Sequence, residues 1–154
     1  MINVLISEPF INLVQPEKLE QAALATLEQQ GLQHEQDFLS QDLSVAIDDD
    51  ERLQALNQAF LGIDAPTDVL SFPAGDDEID PETGVLYLGD IIISYPRALD
   101  QANAAGHPVM AEMQLLVVHG VLHLLGHDHA EPEEQAVMWA AQREVLLSLG
   151  VQMP

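Results

Sequence analysis

His119, His123 and His129 stand in the spacing H-x3-H-x5-H, with Gly126 between the second and the third. Residues four apart on a helix lie one turn above each other on the same face, so the imidazoles of His119 and His123 can converge on one ion. Gly126 can take the left-handed backbone that ends a helix, and the returning chain then delivers His129 from another direction. Three neutral imidazoles suit zinc. Three protein ligands also leave the fourth tetrahedral position for water, the arrangement of a catalytic rather than a structural site. A lone histidine on an apolar helix is usually a hydrogen-bonded core residue. Two at i, i+4 followed by a glycine stop and a third are costly to bury without a shared partner.

The other residues of this segment divide by chemistry. Asp128 is the candidate helper: it can orient a ligand imidazole through its other nitrogen or position the water, and a plain turn role is the alternative. His127 reads as exposed or as a neighbour of the ligands, and His107 and His34 read as surface residues. The spacing H-x3-H-x2-G-x2-H also fits the metzincin proteases, but those carry glutamate directly after the first histidine as general base. Here that position is Gly120, which can transfer no proton. Met138 is a candidate methionine floor for such a site and equally an ordinary core residue.

At 154 residues the chain is expected to be one domain, 1–154, with a core of its own. It has no cysteine, so disulfides and thiolate sites are excluded. The start Met1-Ile-Asn-Val-Leu-Ile lacks the basic and small-residue features of a secretory signal, which points to the cytoplasm. The apolar run Leu115 to Leu125 is broken by two histidines and is shorter than the roughly 18 residues a membrane span needs. Against 26 acidic residues the only cations are Lys18, Arg52, Arg97 and Arg143, for a net charge of -22. Such a surface repels phosphate and argues against the clustered-cation grip on nucleic acid.

The elements that must position the histidines read as one α+β unit, a small mixed sheet covered by helices. Ile2 to Ser7 reads as a strand. Pro16 to Gln30 reads as an amphipathic helix with Leu19, Ala23 and Leu27 on one face and Gly31 closing it. Leu43 to Ile47 is a strand. The acids Asp48 to Asp50 start a helix running to about Phe60, with Leu53, Leu56 and Phe60 inward. Val69 to Phe72 is a strand ending at Pro73, Gly75 to Gly84 a mobile connector, and Val85 to Ile93 a long central strand. Val109 to Leu125 is apolar nearly all round, which predicts a buried helix carrying the histidines. Glu131 to Leu149 forms a last helix ended by Gly150, and its Val145, Leu146 and Leu149 are either core or interface.

The block His119 to His129 resembles the H-G-x-L-H-L-x-G-x-D-H signature of the YbeY proteins, single-domain zinc-dependent endoribonucleases of bacterial rRNA maturation and ribosome quality control. Leu56-Asn57, Asp64-Ala-Pro-Thr-Asp-Val-Leu-Ser-Phe-Pro73 and Leu88-Gly-Asp-Ile-Ile-Ile-Ser94 follow in the order and spacing of that family, from about Leu43 to His129. The resemblance implies that His119, His123 and His129 hold one zinc ion. It also implies that the strand ending at Phe72 lines the cleft, with Asp68 and Ser71 as candidate supports of the ligands or contacts of the substrate. The implied activity is single-strand-specific cleavage in late 16S rRNA processing by a metal-bound water, with rRNA, the ribosomal subunit and ribosomal proteins as partners. One departure stands out: Leu61 follows Phe60 where the family has an arginine fit to clamp a phosphate. Arg97 and Arg143 are the candidate substitutes. Two alternatives remain open, a ribosome-associated zinc-binding factor with little nuclease activity and a zinc hydrolase of another substrate class.

Overall fold

Alternating apolar residues build the strands, and a computed structural model of the chain describes them within residues 1–35, 38, 40–75 and 79–151. Strands β1 (Ile2–Ile6), β2 (Asp42–Asp48), β3 (Val69–Pro73) and β4 (Tyr87–Ser94) form one mixed sheet in the order β1-β2-β4-β3. β1, β2 and β4 run parallel, and β3 pairs antiparallel with β4 at the edge. The central place of β4 follows from its apolar run, which demands cover on both sides. Helices α1 (Pro16–His34), α2 (Asp50–Leu61), α3 (Tyr95–Ala105), α4 (Val109–Leu124) and α5 (Pro132–Ser148) complete the unit.

Register assigns the two faces. Ile2, Leu43, Val45, Ile47, Ile91 and Ile93 share one side of the sheet and are all buried, whereas Leu5 on the other side is 61% exposed. Ser71 is in register with Ile91 and therefore points to the buried side, where α4 lies. α4 is buried nearly all round, from Met113 through Leu116, Val117, Val121 and Leu122, and contacts α1, α3, α5, β3 and β4. It lies tight against the sheet at Gly120, where a Cβ would stand 2.9 Å from Ile91 Cγ2. The missing glutamate after His119 therefore has a packing cause as well as a chemical consequence.

Several expectations need correction. α1 passes through Gly31 and ends at Glu35 in the left-handed conformation, although an interior glycine costs about 1 kcal/mol against alanine. The last turn is held by tertiary contact: Gln30 is buried, and His127 Nε2 donates to its Oε1 at 2.6 Å. Phe60 is not inward but 67% exposed, meeting Phe72 edge-on at 5.3 Å, while Leu53 is fully buried. His107 is no surface residue, since its side chain is 6% exposed and its Nε2 donates to Glu112 Oε2 at 2.6 Å beneath the first turn of α4. Apolar periodicity does not mark α3, which beyond Tyr95 in its first turn buries only the alanines Ala98 and Ala102; it opens at Ser94, whose hydroxyl accepts from Arg97 N, and ends at Gly106. Of the Gly75 to Gly84 connector, residues 76–78 lie outside the described residues, and Asp80 to Gly84 forms a hydrogen-bonded turn. Val145, Leu146 and Met138 are core, and Leu149 packs against it.

Gly120→Ala is expected to lower unfolding free energy in urea by about 1–3 kcal/mol, the usual cost of overpacking a filled core. Unchanged stability would contradict the close contact of α4 with Ile91.

Candidate metal centre

The last turn of α4 and the loop behind it carry the site. His119 and His123 rise one turn apart from the helix, half-buried. The helix ends as the glycine predicted: Gly126 has φ 99°, its N–H donates to the His123 carbonyl at 3.0 Å, and His127 N–H donates to the Leu122 carbonyl at 3.0 Å. Asp128 Oδ1 accepts from His129 N–H at 2.7 Å and fixes the backbone that returns His129. One ring nitrogen of each histidine lies within 4.8 Å of the other two. Ring centroids are 4.6 Å apart for His119 and His123, 5.1 Å for His123 and His129, and 5.6 Å for His119 and His129.

Hydrogen bonds set the tautomers. His123 Nδ1 lies 2.9 Å from the His127 carbonyl, which can only accept, so Nδ1 carries the proton. His119 Nδ1 lies 3.1 Å from Gln142 Oε1, and with the amide turned this way the oxygen accepts and Nδ1 carries the proton. Both Nε2 atoms therefore present lone pairs, and they face each other at 3.1 Å. Adding a proton between them is opposed: burial holds both imidazoles below the ordinary histidine range, and for His119 the neighbouring His123 works in the same direction. Paired lone pairs with no donor between them fit a cation, and three imidazole nitrogens are a donor set suited to zinc.

The remaining residues take different places. His127 does not join the cluster; its ring bonds α1 through Gln30, and only its carbonyl serves His123. Ser71 Oγ donates to the Gly120 carbonyl at 3.4 Å, a long contact tying β3 to α4 between the two helical histidines. Asp68 accepts from Val69 N–H at 2.8 Å and from Gln101 Nε2 at 3.3 Å, so both its carboxylate oxygens are engaged. It is close enough to favour the charged form of His119 without touching the ring. Gln142 and the His127 carbonyl were not foreseen. A glutamine on a helix has many uses, and a backbone carbonyl leaves no mark in a sequence.

The phosphate problem is also clearer. Leu61 is 57% exposed at the end of α2. Arg97 is held by Asp50 through two bonds of 3.1 and 2.9 Å, and that guanidinium keeps the Asp50 carboxyl below its usual range. Arg143 is exposed on α5 and, among the described residues, makes no ion pair. No described helix is long and apolar enough to cross a membrane.

Comparison with known proteins places these features in a lineage. A family model described as Endoribonuclease YbeY matches residues 9–150. A relative named Endoribonuclease YbeY from Roseiflexus sp. (strain RS-1) is 42% identical over 154 residues, covering 97% of this chain and 93% of the relative. A namesake from Geobacillus kaustophilus (strain HTA426) is 47% identical over 116 residues, covering 71% of this chain and 74% of its own. The solution structure of TM1509 from Thermotoga maritima shares the fold, with a TM-score of 0.64 at 23% identity over 97% of this chain and 89% of that one.

Replacing Gln142 by leucine is expected to weaken divalent-metal affinity about 10- to 100-fold, the usual effect of losing a hydrogen bond that orients a ligand. Competition with a chelator measures it, and an unchanged affinity would remove Gln142 from the site.

Proposed function

The chain belongs to the endoribonuclease YbeY family, and from that premise we propose that it is a metal-dependent endoribonuclease of rRNA maturation in which His119, His123 and His129 hold one zinc ion. The observation that carries the metal assignment is the pair of Nε2 lone pairs facing each other at 3.1 Å with both Nδ1 protons already committed. An ion held there by His119, His123 and His129 would supply Lewis acidity toward a phosphoryl oxygen and would acidify a water molecule.

The chain's own residues then have separate tasks. His119 and His123, on the buried helix, give the fixed part of the ligand set, and Gln142 and the His127 carbonyl hold their rings in the right tautomer. Asp128 is a positioning residue, because its carboxylate sets the backbone of His129. Asp68 and Ser71 shape the floor between β3, α3 and α4 and are assigned to the substrate cleft, where the hydrogen bonds to Val69 N–H and Gln101 hold the Asp68 carboxylate in place. Arg143 is the cation we assign to the RNA phosphate. It stands one turn along α5 from Trp139, which touches the histidine cluster, whereas Arg97 is committed to Asp50. With only four Lys and Arg in the chain, binding to RNA alone is weak. A ribosomal subunit, including its proteins, is the natural place for the RNA to be presented. Residues 1–154 act as one YbeY-like domain in the cytoplasm.

A second reading draws on Leu61 and the charge of -22: a ribosome-associated metal-binding factor with little cleavage of its own. Cleavage of single-stranded RNA and of structured rRNA, with bound metal quantified, separates the two. The nuclease reading expects metal-dependent cleavage by the wild type. It expects His123→Ala to lose both metal and about 100-fold or more of the rate, and Arg143→Ala to raise KM about tenfold, as for one lost charge-assisted phosphate contact. Metal binding by a wild type that cleaves nothing, with activity appearing only in Leu61→Arg, would transfer the conclusion to the second reading.

A further inference from the structure

Each ligand candidate needs something to hold its ring, and the three are held differently. His119 is held by Gln142 and His123 by the His127 carbonyl, each through a hydrogen bond at Nδ1. His129 has no such partner among the described residues: its only hydrogen bond is at the backbone, to Asp128, and its residue is exposed on the turn. An exposed histidine with two free side-chain torsions would sample several rotamers, and an ion would then have to order it on binding. What its ring does meet is the half-buried indole of Trp139, at 5.7 Å between centroids and 31° between planes. The same indole lies 5.6 Å from the His119 ring. Trp139 and Gln142 are three apart on α5, so one helix face presents both an aromatic wall and a hydrogen-bond acceptor to the cluster.

We propose that Trp139 is the positioning residue of the third ligand: its indole packs against His129 and His119 and preorganises by ring contact the one imidazole that no hydrogen bond orients. The inference rests on the reading of the three histidines as metal ligands and adds the means by which an exposed turn residue is made ready. Offset aromatic contacts of this separation are favourable beyond the area they bury. That is enough to shift a rotamer population several-fold, and the loss would appear in metal affinity more than in fold stability.

Trp139 is the only tryptophan in the chain, which makes the test direct. The probes are Zn2+ in competition with a chelator and Co2+ as an open-shell quencher of indole emission. The metal-stripped full-length wild type, Trp139→Phe, Trp139→Leu and Trp139→Ala are compared, each with its urea midpoint measured without metal. Wild-type emission is expected to be quenched by one equivalent of Co2+ per chain, and His123→Ala is expected to abolish that quenching. Trp139→Phe keeps a flat ring and should hold Zn2+ within about threefold of wild type. Trp139→Leu, which keeps apolar volume without a ring face, should lose about tenfold, the lower end for lost ligand support. If Trp139→Ala fails to fold, the Phe and Leu pair still decides. Equal affinity in Phe, Leu and wild type would overturn the role of Trp139 while leaving the metal site intact. Failure of the wild type itself to bind either ion would overturn the metal reading beneath it.

Discussion

Two imidazole Nε2 atoms 3.1 Å apart, each left with a lone pair, define what the surrounding structure has to do. The arrangement is unfavourable unless a proton is shared or a cation beside the axis between them draws both lone pairs to itself at about 2.0–2.1 Å. The protein makes the shared proton costly by burying the rings, and that desolvation outweighs the acceptors at the two Nδ1 atoms, which on their own favour a protonated ring. Nothing in the amphipathic logic of a helix requires this. It is maintained because α4 is buried nearly all round and cannot rotate to relieve it, with Gly120 seated against Ile91 and α1, α3 and α5 packed on the other sides.

From that constraint the remaining features acquire their places. Gly126 ends the helix one turn after His123, and the Asp128 carboxylate takes up the His129 N–H, so the chain reverses over His119 and His123 rather than away from them. His127 joins this reversal to the end of α1, extending that helix past a glycine that would otherwise close it. The site therefore depends on contacts distant in sequence: Gln30 steadies the turn from one side, and α5 supplies Gln142 and Trp139 from the other. Membership of the YbeY family gives the chain its substrate class, RNA, which meets a surface with only four Lys and Arg.

The legible part of the molecule was the part whose chemistry is carried by residue type. Histidines at H-x3-H-x5-H with an intervening glycine could be placed on a helix and a turn because both have fixed geometry, and the apolar run of β4 could be placed at the centre of the sheet. What escaped had weak or ambiguous signals. α3 buries alanines, which carry little hydrophobic contrast; Gly31 is a stop signal that a tertiary contact overrides; and Phe60 follows the inward stripe of α2 yet is left exposed in its last turn. His107 looked like a loop residue, and its burial depends on Glu112, a partner five residues away that would itself be read as solvated. Gln142, Trp139 and the His127 carbonyl are of types with so many uses that only proximity reveals the one in force.

The central claim is that this chain holds one ion through three imidazoles, with the open coordination that hydrolysis requires. X-ray absorption at the zinc edge of the full-length protein, loaded with one equivalent of Zn2+, tests it most directly. The account predicts three imidazole nitrogens in the inner sphere at about 2.0–2.1 Å, completed by light-atom scattering from solvent. An inner sphere with at most one imidazole, or one built of carboxylate oxygens from the acidic surface, would contradict it.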